Sequence, residues 1–170
     1  MKVTTFAIKV WRWLSVVLVI GALVWTYSVF PQMVAVDFSD SGLAEIYLPK
    51  EHIFYIVMAL FLVNNVLIAR FAKLVSSADP MHLPIPKKRI WAQHREALNE
   101  HLVNWFNCLV AAINTVIGFS LFSLATINST NYKVDVFDFS WLYYIGIALL
   151  VIVLLLPFRL LSTPVPEDRL

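Results

Sequence analysis

Four long apolar runs constrain the fold of this chain more than any other feature of its sequence. They cover about residues 13–30, 53–71, 102–127 and 142–158. Each run approaches or exceeds the ~20 residues with which an α-helix crosses ~30 Å of hydrocarbon. A spanning segment must be helical, because hydrocarbon offers no water to bond an open backbone. The sequence therefore predicts an all-α integral membrane protein built as a four-helix transmembrane bundle.

The composition favours the same fold class. Of 170 residues, 60% are hydrophobic and 14% are charged, whereas a soluble domain carries roughly a quarter charged residues. A net charge of +2 is too small to indicate a nucleic-acid partner. The single cysteine, Cys108, lies in an apolar run, where we expect it to be a small buried packing residue. We predict one membrane domain over residues 1–170, with the first run retained because it lacks a signal-peptide cleavage site.

The lysines and arginines are divided unequally among the segments that join the runs. Two of the 13, Lys50 and Lys133, lie in connections 31–52 and 128–141, and the other eleven lie in the remaining segments. Because Lys and Arg favour the cytoplasmic side, we expect these two connections to be outer loops. Both termini and the elbow at 72–101 are then cytoplasmic.

Both outer loops show strand-like alternation of apolar and polar residues. It covers residues 34–38 in the first loop and 132–137 in the second. Because neither strand would persist alone in water, we expect them to pair as a small extracytoplasmic β-cap. Gly42 is expected in the turn after the first strand, with a positive φ.

Candidate metal ligands occur in the outer loops and in the elbow. The aspartates of the outer loops offer the oxygen ligands that a hard cation prefers, but their spacing lacks the dense ligand run of a calcium loop. We therefore expect them to form a polar rim, with a cation site as the alternative. Two histidines lie two helical turns apart, which is too far for one zinc ion. The residues concerned are Asp37, Asp40, Asp135 and Asp138 for the cation, and His94 and His101 for zinc.

The elbow combines prolines with an amphipathic pattern. Pro80, Pro84 and Pro86 disfavour an α-helix, and after them apolar residues recur at helical spacing as far as Trp105. We expect an amphipathic helix that lies along the inner leaflet or runs directly into the third span. Its basic start would lie among anionic headgroups. The predicted inner interaction residues are Pro86, Lys87, Lys88, Arg89 and Trp91.

Asparagines and small residues form a stripe within the second and third runs. The steps in the third run alternate between three and four, which is typical of a helix–helix seam with amides for cross-helix hydrogen bonds. The alternative is a polar pathway for a solute. Such pathways normally contain ionisable side chains, and no Asp, Glu, Lys or His lies deep in any run, which argues against it. The seam residues are Asn64, Asn65, Asn104, Asn107, Ala111, Asn114 and Gly118.

No arrangement typical of an enzyme occurs in the sequence. His52 stands beside Glu51, but no third group is placed to complete a nucleophile and base arrangement. There is also no Gly-rich phosphate loop or cysteine cluster. We therefore expect neither catalysis nor a cofactor.

The stretch FPQMVAVDFSDSG resembles the LPxxVAxHFxxxG signature of a small bacterial membrane family of unknown function. That domain also forms the front part of immunity and signalling proteins of the sporulation-delay toxin type. The matching residues are Pro31, Val34, Ala35, Phe38 and Gly42. The family's histidine is Asp37 here, and the proline that usually follows the glycine is missing. IPKKRIWA likewise resembles the family's PNKxYW element through Pro86, Lys88 and Trp91.

The resemblance implies a multi-pass protein of the bacterial cytoplasmic (inner) membrane. With the charge pattern, it leads us to expect a non-enzymatic accessory or stabilising subunit of a larger membrane complex, with lipids and a membrane protein as partners. A toxin-immunity or envelope-signal sensor protein and a small solute transporter are the alternatives. The predicted outer interaction residues are Pro31, Val34, Asp37, Phe38 and Gly42.

Overall fold

The computed structural model describes residues 2–129 and 139–161. The α-helices are α1 (Val3–Val29), α2 (Lys50–Leu62), α3 (Ile68–Ser77), α4 (Lys88–Gln93), α5 (Arg95–Ile127) and α6 (Trp141–Phe158). A π-helical turn at Val63–Leu67 joins α2 to α3, so that these two form one long helix. Short 3-10 helices occupy Pro80–His82 and Arg159–Leu161. The strands are β1 (Met33–Phe38) and β2 (Ala44–Pro49).

Four helices are long and apolar enough to cross a membrane: Val3–Val29, Lys50–Ser77, Arg95–Ile127 and Trp141–Leu161. The predicted set of four long apolar helices is therefore confirmed. Helix α3 continues to Ser77 and helix α5 begins at Arg95. Both helices therefore extend beyond the apolar runs into the segment predicted as the elbow. Between Ser77 and Lys88 the chain has no α-helix, and the amphipathic helix is α4 together with the start of α5, interrupted only at His94.

Helix α5 is the centre of the bundle. In its most apolar stretch 56% of the residues are buried, against 17% for α1, 17% for α2–α3 and 12% for α6. The other three long helices therefore turn most of their apolar surface outward, as expected of helices surrounded by lipid. Cys108 is 1% exposed and packs with Ala112 and Val153 of α6.

The elbow folds beneath one end of the bundle. The Trp91 ring is 4% exposed, and its Nε1 donates to the backbone oxygen of Leu160 at 3.0 Å. Leu83, Leu98 and Leu102 complete the apolar cluster around it. This cluster fixes α4 against the start of α5 and the end of the fourth long helix.

The two strands form an antiparallel hairpin within the first connection. Gly42 lies in the turn with φ 78°, as predicted. The predicted partner strand at 132–137 lies outside the described residues, and β1 pairs with β2, a strand that was not predicted. The AEIYLP sequence of β2 does alternate in the same way, so the signal was present.

The side chain of Asn128, at the end of α5, bonds to the edge of β1 that faces away from β2. Asn128 Oδ1 accepts from the Ala35 N–H at 2.7 Å, and Asn128 Nδ2 donates to the Ala35 carbonyl at 3.0 Å. Nδ2 also donates to the Leu124 carbonyl at 2.9 Å. The amide thus takes the place of one residue of a neighbouring strand and fastens the hairpin to α5.

We predict that Asn128→Asp loosens the hairpin, because a carboxylate keeps the acceptor for Ala35 N–H but loses both donated bonds. The free energy of unfolding should fall by about 1–3 kcal/mol. Hydrogen–deuterium exchange over residues 33–38 should become faster. In the control Thr126→Val, which removes a hydroxyl bonded within α5, exchange over β1 should not change. Equal exchange in both variants would contradict the role of Asn128.

Candidate functional site

Three of the predicted seam residues, Asn64, Asn65 and Asn114, meet where the α2–α3 helix packs on α5, and Asn114 is fully buried. Asn65 and Asn114 form a reciprocal amide pair, each donating Nδ2 to the other's Oδ1 at 3.1 Å. Asn64 Nδ2 donates to Asn114 Oδ1 at 2.8 Å and to the Val110 carbonyl at 3.1 Å. Both oxygen lone pairs and both N–H groups of Asn114 are thereby used once its bond to α1 is included.

The π-helical turn allows two adjacent asparagines to reach the same partner. Neighbouring residues of an α-helix point about 100° apart. The wider turn is closed by the bond from Ile68 N–H to the Val63 carbonyl and holds more residues than an α-helical turn. The angle between the side chains of Asn64 and Asn65 is therefore smaller than in an α-helix. Such turns are frequent at functional sites. The turn also leaves Asn64 Oδ1 buried without a hydrogen-bond partner among the described residues.

Helix α1 contributes two hydroxyls that the sequence analysis did not single out. Asn114 Nδ2 approaches Ser15 Oγ at 3.4 Å, and Asn104 Nδ2 donates to Thr5 Oγ1 at 2.9 Å. Both hydroxyls are buried on the face of α1 that packs on α5. Both residues lie at helical spacing from Val19 and the other buried residues of α1. That spacing is the sequence signal that could have identified them.

A chain of bonds continues from Thr5 to the start of α5. Thr5 Oγ1 donates to Glu100 Oε1 at 2.8 Å, and Lys2 Nζ pairs with Glu100 Oε2 at 2.9 Å. Both pairs of hydrogen-bonded residues, Thr5 with Asn104 and Ser15 with Asn114, are 99 positions apart in the sequence. The helices α1 and α5 therefore run parallel with a constant register.

The small residues of the stripe lie where α1 approaches α5 most closely. A Cβ added to Gly118 would come within 2.7 Å of Leu18 Cγ, and Ala111 is fully buried. Asn107 is half-buried and makes no side-chain hydrogen bond within the described part of the chain. The stripe therefore contains six residues in helix contacts and one amide, Asn107, that adds nothing to the network.

The residues predicted as the outer interaction surface are divided between core and surface. Val34 is fully buried in the apolar cluster between the hairpin and the bundle, so it cannot contact a partner. Asp37 is exposed, and its Oδ1 accepts from the Phe38 N–H at 3.0 Å. Pro31, Phe38 and Gly42 are partly buried. The large apolar side chains that the hairpin exposes are others, namely Met33, Leu43, Ile46 and Tyr47.

The inner set divides in the same way. Trp91 is a core residue, whereas Pro86, Lys87, Lys88 and Arg89 are exposed. Lys87 has φ 52°, a conformation uncommon for a residue with a side chain. The chain there turns sharply into α4 and presents the basic residues outward.

Candidate metal ligands are not assembled in the described part of the chain, where no group of three His, Cys, Asp or Glu side chains is placed to hold an ion. His94 Nδ1 instead contacts the Ile90 carbonyl at 3.1 Å. Asp135 and Asp138 lie outside the described residues.

Comparison of the chain with family models, curated proteins and solved structures found no match. The resemblance through FPQMVAVDFSDSG and IPKKRIWA therefore stays a prediction.

We predict that Asn114→Leu destabilises the bundle by about 1–3 kcal/mol, because Asn64, Asn65 and Ser15 all lose a bond partner in a buried region. Titration with SDS, followed by circular dichroism, measures the loss. Asn107→Leu is the control from the same stripe and should change stability little. If both variants lose the same free energy, the amide network does not hold the helices together.

Proposed function

We propose that this chain is a non-enzymatic, multi-pass protein of the bacterial inner membrane that serves as an accessory or stabilising subunit of a larger membrane complex. Both termini and the elbow lie in the cytoplasm and the hairpin lies outside. The charge pattern of the sequence supports this orientation. Lys50 is the one basic residue of the first outer loop, whereas the elbow presents Lys87, Lys88 and Arg89.

The observation that carries the proposal is the apolar surface of the hairpin. Leu43 is 70% exposed, and Ile46 and Tyr47 are 50% and 51% exposed. These residues lie outside the long apolar helices, where lipid tails would not cover them in the proposed orientation. Several large apolar side chains exposed on one short hairpin outside the hydrocarbon favour a contact with another protein. Asp40 and Glu45 are exposed beside them and supply a polar rim.

The buried amides support a structural role over transport. Asn114, at the centre of the network, spends its whole hydrogen-bonding capacity on Asn64, Asn65 and Ser15, which leaves it none for a passing solute. A toxin-immunity or envelope-signal sensor is the second candidate, since the same exposed hairpin would meet a ligand arriving from outside.

We predict that Ile46→Ala with Tyr47→Ala releases the partner. The protein is purified from its native membrane in mild detergent, and the complex is measured by native mass spectrometry. Recovery of the partner should fall at least ~5-fold, since buried aromatic and aliphatic anchors dominate interface energies. The matched control is Ile147→Ala with Tyr144→Ala, which alters the same two residue types at exposed positions of α6 (42% and 70% exposed) and should leave the complex intact.

A wild-type protein that is monomeric in this measurement would contradict the accessory-subunit proposal. The sensor alternative requires a different result, in which the native complex survives both pairs of substitutions. Toxin sensitivity of a deletion strain would then be restored by the wild-type chain but not by the Ile46→Ala, Tyr47→Ala variant.

We predict that a fluorescent protein fused after Leu170 fluoresces, because that fusion is cytoplasmic in the proposed orientation. Alkaline phosphatase inserted at Ser41, in the hairpin turn, should be active, since it folds only outside the cytoplasm. The reverse pattern would place the hairpin and the elbow on the opposite sides.

A further inference from the structure

Arg12 is a cationic side chain on the inner part of α1, among residues that pack on α5. Ser15 and Val19, one and two turns further along the same face, are buried. Arg12 itself is half-buried, and its Nη1 is buried without a hydrogen-bond partner among the described residues. A guanidinium nitrogen in this position has lost its water and gained nothing in exchange, which costs free energy unless a ligand supplies an acceptor.

No described acidic side chain neutralises this charge. The ion pairs between described residues are Lys2–Glu100 and His82–Asp79. Glu100, the acidic residue nearest to Thr5, already uses one oxygen for Lys2 and the other for Thr5. The described part of this chain therefore supplies no acceptor to Arg12 Nη1, which leaves a bound molecule as one source of it.

The height of Arg12 in the bundle indicates which molecule this is. Arg12 lies 17 residues before Val29, the last residue of α1, which is roughly 25 Å along a helix. In a hydrocarbon layer ~30 Å thick, Arg12 lies just inside the boundary at the N-terminal end. Helical side chains point toward the N-terminus of their helix, so the guanidinium extends toward the headgroups of that leaflet. Trp13, which is 73% exposed, lies beside it, as aromatic residues do at this boundary.

We propose that Arg12 binds the phosphate group of a phospholipid at the N-terminal end of the bundle, between α1 and the helices packed on it. A guanidinium presents paired N–H groups that match phosphate oxygens better than any other side chain. Turning the guanidinium outward takes Nη1 from its buried position, where it has no hydrogen-bond partner among the described residues, to the phosphate oxygens, and the acyl chains lie along the apolar outer surface of α1. The proposal rests on the membrane location proposed above but holds for either orientation of the termini.

Arg70 provides a matched control at nearly the same height. Helix α3 runs antiparallel to α5, as the contacts Asn64–Asn114 and Phe71–Phe106 show, which places Arg70 level with Cys108. Arg12 lies level with Ala111 by the register of α1, within about one turn of Arg70. Arg70, however, is exposed. It therefore has the charge and the height of Arg12 without the buried donor.

The test uses the full chain purified in detergent, stripped of lipid and then given dioleoyl phosphatidylglycerol. We expect native mass spectrometry of the wild type to show one phospholipid retained after the others dissociate. Arg12→Gln should lower this retention at least ~5-fold, and Arg70→Gln should leave it unchanged. Dioleoyl glycerol, which has the same chains and no phosphate, should not be retained. Equal retention by wild type and Arg12→Gln, or an equal loss in Arg70→Gln, would overturn the proposal.

Thermal stability gives a second measurement that does not depend on dissociation in the gas phase. Without phospholipid, Arg12→Gln should unfold at the same or a higher temperature than the wild type, because it lacks the unpaired buried charge. Phospholipid should raise the unfolding temperature of the wild type and not of the variant. An equal increase caused by inorganic phosphate alone would identify free phosphate as the ligand and contradict a lipid. If Arg12→Gln fails to fold, Arg12→Lys, which keeps the charge without the paired donors, should show weakened retention.

Discussion

The structure depends on hydrogen bonds between side chains that meet on α5, where no water is available to replace them. In the proposed membrane, lipid tails are as apolar as the helix surfaces, so burial of apolar area cannot by itself bring helices together. Close packing and buried amides have to do this. Asn114 bonds to the α2–α3 helix through Asn64 and Asn65 and to α1 through Ser15. A single side chain thereby connects three of the four long helices.

This arrangement separates a closed interior from two surfaces outside the long helices. Amides in the interior are bonded to each other, and Gly118 lets α1 pack directly against α5. The hairpin is attached to α5 by Asn128, and the elbow is attached to the end of the fourth long helix by Trp91. What remains available to other molecules is the exposed apolar side of the hairpin, the basic start of α4, and the guanidinium of Arg12.

Sequence pattern was enough to predict the helices, the strand β1, the turn at Gly42 and a helix seam that includes Asn64 and Asn114. It was not enough where three-dimensional contacts decide the outcome. The π-helical turn at Val63–Leu67 depends on which backbone groups bond across the turn, and nothing in the VNNVL sequence requires it. Val34 and Trp91 were expected on interaction surfaces because of the motifs around them, yet both are buried, since the hairpin and the elbow fold onto the bundle. Arg12 entered the prediction only as one of the eleven basic residues outside the outer loops, because a count of basic residues contains no information on burial.

The hairpin has almost no slack where it joins the long helices. Strand β2 ends at Pro49 and α2 begins at Lys50, while three residues separate α1 from β1. Val34 of β1 and Leu23 of α1 also share one apolar cluster with Ile53 and Val57 of α2. Helix α2 continues directly into the π-helical turn that carries Asn64 and Asn65. A partner that displaced the hairpin would therefore act on α2 without an intervening linker, and through α2 on the two amides.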